Sequence, residues 1–234
     1  MSHSHIHPLR DLMGIVMPRF CIHCGETLVG DERDICTHCI ARIAWLPDAT
    51  TEGNLVEERL HGLLPFEAAG ALLVFHKDAP VQSVVHQIKY HHNTRLAAQY
   101  GRLLGEKLAD SDRFADIDLL APVPLHPLKQ LQRGYNQSQL LCEAMSRVLR
   151  LPVSHRSIYR RRYTNTQTHK SRMQRQDNMR DVFAVRHPER LEGKHILLID
   201  DILTTGATLT ACHDALAPIA DLRISVAVLA VVAN

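Results

Sequence analysis

The sequence predicts an α/β fold in which a mainly parallel sheet is flanked by helices, with a small four-cysteine module in front of it. Two observations carry this prediction. Apolar segments with the length of buried strands alternate with longer segments whose apolar residues recur every three or four positions, as they do on one face of a helix. Four cysteines lie close together near the N-terminus, ahead of the first predicted strand.

The predicted elements follow in chain order. GALLVFH is the first strand, and the stretch from Ala79 to Asp110 has helical spacing. IDLLAPVPL is the second strand, which Pro122 and Pro124 end in an irregular loop, and SQLLCEAMSRVL is the next helix. LPVSHRSIY, HILLID and RISVAVLAVV are further strands. We therefore expect a cysteine module with a mobile N-terminus over residues 1–46, a linker over 47–66 and the α/β domain over 67–234.

Composition and charge exclude some classes of protein. A net charge of +2 and a pI near 8.3 argue against a generally polybasic protein, so a nucleic-acid partner would need a local patch. No apolar run approaches the roughly 20 residues that span a membrane, and no convincing signal-peptide cleavage site is present. We therefore expect a cytoplasmic protein whose cysteines stay reduced.

The clustered cysteines are spaced as metal ligands. Cys21 and Cys24 form one C-x-x-C pair, and Cys36 and Cys39 form a second. Two such pairs complete a tetrahedral zinc site with no open position, which is a structural site. The alternatives are a redox-active C-x-x-C or two disulfides. The paired spacing favours zinc, and a reducing compartment disfavours disulfides.

The segment LLIDDILTTGAT, residues 197–208, carries the strongest functional signal. An apolar strand is expected to stop at the acidic pair Asp200 and Asp201, and a Thr/Gly loop then leads into a helical pattern. Backbone N–H groups at a helix N-terminus bind phosphate, and the carboxylates are placed to hold sugar hydroxyls or a metal-bound water. The alternative is an ordinary strand-to-helix turn with a capping threonine.

This segment resembles the phosphoribosyl pyrophosphate (PRPP) motif of the type I phosphoribosyltransferases. The resemblance implies that the loop of Thr204, Thr205, Gly206, Ala207 and Thr208 binds the 5-phosphate of PRPP. It also implies that Asp200 and Asp201 are catalytic residues that bind the ribose hydroxyls, and that Mg²⁺ bridges the pyrophosphate and the ribose.

Further segments resemble the ComF/GntX family, competence-associated phosphoribosyltransferase-like proteins with an N-terminal four-cysteine zinc module. The matching residues are Lys89, Tyr90, Pro122 to Leu125, Arg133, Gly134, Asn136, Gln137, Gln167, Arg175, Asn178 and Phe183. The resemblance implies that the turn containing Pro124 faces pyrophosphate. It adds Lys89, Pro124 and Arg133 to the substrate-binding residues, with His126 and Lys129 as nearby candidates. The alternative for Arg133 is a surface residue at a helix N-terminus.

The stretch from Arg160 to Asp181 contains seven basic residues and two acidic ones, with little apolar content. A long polar loop inside a compact domain is usually functional or disordered. In this fold class the equivalent connection is a lid over the site, so the charges are placed to neutralise pyrophosphate or to contact single-stranded DNA. Lys170 stands where family members usually have an apolar residue.

Two functions follow from these expectations. The first is a phosphoribosyltransferase, in which PRPP loses pyrophosphate through a cationic ribosyl transition state that the protein positions and stabilises. The second is a non-catalytic protein that keeps this fold to bind nucleotides or single-stranded DNA during DNA uptake or utilisation.

Overall fold

The computed structural model describes residues 18–161 and 182–233. The predicted mobile N-terminus and most of the basic segment lie outside these residues. So do Gln167, Lys170, Arg175 and Asn178, whereas Arg160 lies inside them. No helix within the described residues is long and apolar enough to cross a membrane.

A four-stranded parallel sheet forms the centre of the fold, in the order β1-β6-β5-β2. Its strands are β1 (Ala69–Phe75), β2 (Leu119–Pro122), β5 (His195–Leu203) and β6 (Arg223–Val232). β6 is buried from Ile224 to Val231 without a break, because both faces of a parallel sheet are covered by other elements. The predicted parallel α/β architecture is confirmed.

The helices form two layers around this sheet. Their bounds are α1 (Thr37–Ile40), α2 (Leu55–Leu60), α3 (Pro80–Tyr90), α4 (Thr94–Ala109), α5 (Pro127–Arg133), α6 (Gln137–Leu149) and α7 (Ala207–Leu216). Buried residues of α3, α4 and α6 share one core with Leu197 and Ile199, whereas those of α2 and α7 share a second core with Ile196 and Leu198. Alternate residues of β5 thus face opposite layers.

Two glycines allow α4 and α6 to approach closely. A Cβ atom on Gly101 would lie 2.9 Å from the carbonyl oxygen of Leu141. One on Gly105 would lie 3.2 Å from the Cα of Met145. The close contact holds the N-terminus of α6 firmly beside the carboxyl end of β5, where the acidic pair lies.

The N-terminal module packs directly against the α/β core. Cys21, Cys36 and Cys39 belong to the same hydrophobic cluster as Leu96 of α4. Trp45 forms an antiparallel bridge to Leu73 at the outer edge of β1.

The segment 47–66, which was expected to be a linker, contains helix α2. The predicted chain breakers Pro47 and Gly53 precede this helix, and Asn54 caps it by accepting hydrogen bonds from the N–H groups of Val56 and Glu57. This helix carries Arg59, whose side chain reaches the Thr/Gly loop at residues 204–208.

Two strand predictions were wrong in extent. LPVSHRSIY contributes only β3 (Ile158–Arg160), which pairs antiparallel with β4 (Phe183–Val185) in a separate two-stranded sheet. The strand predicted to stop at the acidic pair continues to Leu203, because its residues stay paired with β6 up to that point. Asp200 and Asp201 therefore lie within the paired part of β5 and not after its end.

Candidate functional site

The acidic pair lies near the carboxyl end of β5, where α3 and α6 supply its side-chain partners. The backbone N–H of Asp201 donates to Oδ1 of Asp200 at 2.8 Å, and the Ser138 hydroxyl of α6 donates to the same oxygen at 3.1 Å. Lys89, at the last turn of α3, places its Nζ 3.1 Å from Oδ1 of Asp201. The structure thus brings together Lys89, Asp200 and Asp201, three of the residues predicted from the sequence.

Burial and repulsion shift the protonation of Asp200. Burial, and to a smaller extent the charge of Asp201, raise the pKa of Asp200 to about 7. The Asp201 N–H group, Lys89 and Ser138 act in the opposite direction. Asp200 therefore titrates near neutral pH, and a hydroxyl donor or a cation would stabilise its charged form.

One oxygen of the pair has no partner. Oδ2 of Asp201 is buried and accepts no hydrogen bond within the part of the chain that the structure describes. A buried acceptor left in this way costs about 1–3 kcal/mol, which a ligand hydroxyl or a metal ion can recover. Carboxylate oxygens are also the ligands that Mg²⁺ prefers, so the residues present fit the cation that the sequence predicts.

The Thr/Gly loop joins β5 directly to α7. Gly206 has φ of 77° and caps α7 without a side-chain hydrogen bond. A Cβ atom there would lie 2.7 Å from Cδ1 of Leu63, so the glycine packs closely on α2 and its following turn. Thr204, Thr205 and Ala207 are exposed, and Thr208 is partly so. The N-terminal N–H groups of α7 therefore lie in an accessible loop, as phosphate binding requires.

The guanidinium of Arg59, on α2, forms hydrogen bonds that hold this loop in place. Its Nη1 donates to the carbonyl oxygen of Thr204 at 2.9 Å, and its Nη2 donates to that of Val232 at 2.7 Å. The guanidinium joins the loop to the end of β6. Sequence reasoning missed Arg59 because the contact spans 145 positions and the segment carries no motif.

Arg133 lies at the C-terminus of α5, not at a helix N-terminus as the alternative interpretation had it. Its guanidinium stacks on the ring of Tyr90 at 4.8 Å and donates to Oε1 of Gln137 at 3.2 Å. Gly134, with φ of 77°, ends the helix in the left-handed conformation. Arg133 is thereby held beside Lys89.

The turn containing Pro124 is anchored to β5 and α6. The N–H of Val123 donates to the carbonyl of Ile199 at 2.8 Å, and the Asn136 amide donates to the carbonyl of Val123 at 3.0 Å. Pro124 and Asn136 line the same cavity. The turn is rigid where the sequence predicts that pyrophosphate binds.

Several cations lie close to this turn. Burial lowers the pKa of Lys129, and the charges of Arg160, Arg133 and Lys89 lower it further. Burial likewise lowers the pKa of His126, with Arg160 and Lys129 adding to the effect. Mutually repelling cations next to a rigid turn form a site that an anion would stabilise. Arg160, which stacks on Phe183 at 5.4 Å, was assigned from the sequence to a lid and belongs to this group.

The four cysteines converge as predicted. Their Sγ atoms all lie within 4.8 Å of one another, and those of Cys24 and Cys36 are 3.7 Å apart. A tetrahedral Zn²⁺ with Zn–S bonds of about 2.3 Å requires sulfurs about 3.8 Å apart. Burial and the neighbouring thiols raise the pKa of Cys39, so a cation is needed to hold four thiolates together. The cluster therefore fits a tetrahedral metal ion.

Comparison with known sequences agrees with this geometry. A family model described as "Phosphoribosyl transferase domain" matches residues 137–233. "DNA utilization protein YhgH" of Escherichia coli (strain K12) is 32% identical over 132 residues, which are 55% of this chain and 57% of that protein. "Competence protein F" of Haemophilus influenzae is 27% identical over 198 residues, 81% of this chain and 86% of that protein.

"Competence protein ComFC" of Bacillus subtilis is 35% identical over 91 residues, which are 39% of this chain and 35% of that protein. Among solved structures, glutamine PRPP amidotransferase from B. subtilis is 16% identical with a TM-score of 0.42, covering 62% of this chain and 30% of that chain. Residues 137–233 match the phosphoribosyl transferase domain model, and the chain is similar in sequence to relatives named for competence and DNA utilisation. It also carries an N-terminal four-cysteine cluster that fits a metal ion.

Proposed function

We propose that the protein binds PRPP, or a related phosphorylated ribose, at the carboxyl end of β5. The observation that carries the proposal is the buried, unpartnered Oδ2 of Asp201, which lies three residues before the exposed Thr/Gly loop. A ribose hydroxyl donating to this oxygen would remove the cost of the unpartnered acceptor. The 5-phosphate would then meet the N–H groups at the start of α7, from Gly206 to Thr208.

The pyrophosphate of the same ligand would lie against the turn at Pro124. Lys129, Arg133 and Arg160 supply the positive charge there, and an anion between them would relieve their mutual repulsion. Asp200 and Asp201 would hold Mg²⁺ through its water molecules, and the ion would supply charge neutralisation between the pyrophosphate and the ribose.

The reaction that this arrangement supports is transfer of the phosphoribosyl group with release of pyrophosphate. Cations around the leaving group and carboxylates beside the ribose would stabilise the charges that separate in the transition state. We propose that the protein acts in the cytoplasm in DNA uptake or utilisation. The names of its relatives, "DNA utilization protein" and "Competence protein", support this part of the proposal.

We also propose that zinc occupies the four-cysteine site, with a structural role. The sulfur spacing of 3.7 Å between Cys24 and Cys36 supports this ion. Three of the four cysteines are buried, which leaves no room for an open catalytic position.

Calorimetric titration with PRPP and Mg²⁺ tests the ligand. Asp201→Asn should weaken binding at least tenfold, because the amide removes the negative charge and replaces one acceptor oxygen by an NH₂ donor. Asp214→Asn removes the same charge from an exposed position of α7 and should bind as the wild type does. Equal affinity in all three proteins would refute the assignment of the acidic pair. Pyrophosphate release with candidate acceptors then separates catalysis from binding.

A second candidate function is a non-catalytic protein that binds nucleotides or single-stranded DNA. The observation that favours it is the naming of two relatives for DNA utilisation and competence. Salt-sensitive binding of a single-stranded oligonucleotide, without pyrophosphate release from PRPP, would support it.

A further inference from the structure

A large cleft runs along the edge strand β2, on the side away from β5. It has a volume of about 1130 Å³, slightly above the range typical of small-molecule sites. One wall is formed by the turn at Pro124 and by α6, and the other by the segment 153–160. Arg186 and Arg190 close it from the connection that follows β4. The cleft shares the Pro124 turn and Arg160 with the position proposed for pyrophosphate, but the Thr/Gly loop, the acidic pair, Lys129 and Arg133 do not line it.

The lining of the cleft is strongly cationic. Among the residues that the structure describes, four arginines and two histidines line it, against one carboxylate, Glu143. That carboxylate already accepts a hydrogen bond from the Gln139 amide at 2.9 Å. Within residues 18–161 and 182–233, Arg156, Arg186 and Arg190 form no ion pair. Their charges are therefore uncompensated inside one concave surface.

One of these arginines is preorganised. The guanidinium of Arg186 stacks on the ring of Tyr159 at 4.6 Å, and the N–H of Arg186 donates to the carbonyl of Ser157 at 2.7 Å. Both contacts reduce the freedom that a flexible side chain would lose on binding a ligand. A guanidinium held in this way presents a planar pair of donors, which suits phosphate oxygens.

We propose that this cleft is a second anion site, which binds a small molecule with several linked phosphates, such as a nucleoside triphosphate. Three guanidinium groups without ion pairs supply more positive charge than a single phosphate needs, and they match a polyanion better. A strand of nucleic acid fits less well, because its bases need exposed aromatic rings. Tyr159 is the only Phe, Tyr or Trp among the described lining residues, and Arg186 covers one of its faces.

Titration of the full chain with inorganic tripolyphosphate tests the proposal without PRPP. The variant Arg156→Ala/Arg186→Ala should bind at least tenfold more weakly than the wild type. Arg42→Ala/Arg147→Ala is the matched control, since it removes the same charge from two exposed positions outside the cleft and should bind as the wild type does. Arg186→Lys keeps the charge but loses the planar donor pair, so its affinity should be intermediate.

Arg133→Ala distinguishes the cleft from the site proposed for PRPP. It should leave tripolyphosphate binding in the cleft intact. Loss of binding in Arg133→Ala, with none in Arg156→Ala/Arg186→Ala, would overturn the proposal by placing the anion at Arg133, which does not line the cleft. Equal loss in the cleft variant and in the control would overturn it as well, because the attraction would then follow net charge alone. Neither result bears on whether PRPP binds.

Discussion

Replacement of Lys89 by methionine tests the electrostatics of the acidic pair. The change removes the ammonium group that lies 3.1 Å from Oδ1 of Asp201 and leaves a side chain of similar length. Asp201 is almost wholly buried, with 6% of its side chain exposed, whereas 20% of the Lys89 side chain is exposed. The variant therefore leaves two carboxylates close together and removes the cation that is ion-paired to Asp201.

The expected loss of stability follows from these values. Breaking a fully buried ion pair by removing one partner costs about 3–5 kcal/mol. Partial exposure of Lys89 lets water screen the pair, so we expect about 2 kcal/mol at pH 8. For a chain of this size the change lowers the melting temperature by roughly 4–8 °C.

The loss should depend on pH in a defined direction. A carboxyl group whose pKa is raised on folding holds its proton more tightly in the folded state, so stability falls as pH rises above its unfolded value. Asp200 is such a group, and Lys89 opposes the shift. Without Lys89 the fall between about pH 4 and pH 8 becomes steeper, so the variant loses less stability at pH 4.5 than at pH 8.

Thermal unfolding at pH 4.5 and pH 8 measures the effect. Lys89→Arg keeps the charge and should lose less stability at pH 8. Lys77→Met removes a charge from an exposed position and serves as the control. An equal loss for Lys89→Met at both pH values would refute the electrostatic explanation, since lost packing does not depend on pH.

Four further predictions concern the metal, the acids and the loop. Elemental analysis of protein purified without a histidine tag should find about one zinc per chain, and chelation should unfold chiefly the N-terminal module; a metal-free chain with those cysteines in disulfides would contradict this. Asp200→Asn should raise the melting temperature at pH 8 but not at pH 4, because it removes the carboxyl group whose pKa burial raises to about 7; a gain that is the same at both pH values would exclude this cause. Gly206→Val should abolish PRPP binding, because a Cβ atom at this position would lie 2.7 Å from Leu63 and the backbone φ is 77°. Gly193→Val is the control that measures the backbone cost alone, since Gly193 has φ of 65° and open space around it. Retained binding in Gly206→Val would show that the loop is not part of the site. Arg59→Met should weaken PRPP binding several-fold by releasing the Thr204 carbonyl, and calorimetry that shows no change would mean that the loop holds its shape unaided.

The parts of the site that could be predicted from the sequence are those encoded in short segments. A strand, an acidic pair, a Thr/Gly loop and a helix start all lie within residues 197–208, so their order alone defines the local geometry. The two C-x-x-C pairs are equally local. Their spacing is sufficient because a metal ion tolerates few arrangements of four thiolates.

The contacts that were missed join distant parts of the chain. Arg59 and Thr204 are 145 positions apart, and Ser138 and Asp200 are 62 apart. The spacing of apolar residues around these positions does not predict a contact between such distant parts of the chain. The extent of β5 was wrong for a related reason: acids usually end a strand, but here Lys89 and Ser138 support them in place.

The short strand β3 illustrates a different limit. The apolar content of LPVSHRSIY predicted a strand of the main sheet, yet Pro152 lacks an N–H group and Val153 forms only one bridge to Leu120. The actual partner of β3 is Phe183–Val185, which follows a polar segment and has too few residues to show a strand pattern.

Both outer edges of the central sheet are shielded by neighbouring chain. Trp45 bridges to Leu73 on β1, and Val153 bridges to Leu120 on β2. An uncovered strand edge is a template for pairing with another molecule, so these two bridges protect the protein against aggregation. Trp45, which covers the outer edge of β1, follows the four-cysteine cluster in the chain. Metal binding therefore has a consequence for solubility: a chain that loses its ion and loosens the module uncovers a strand that can recruit a second chain.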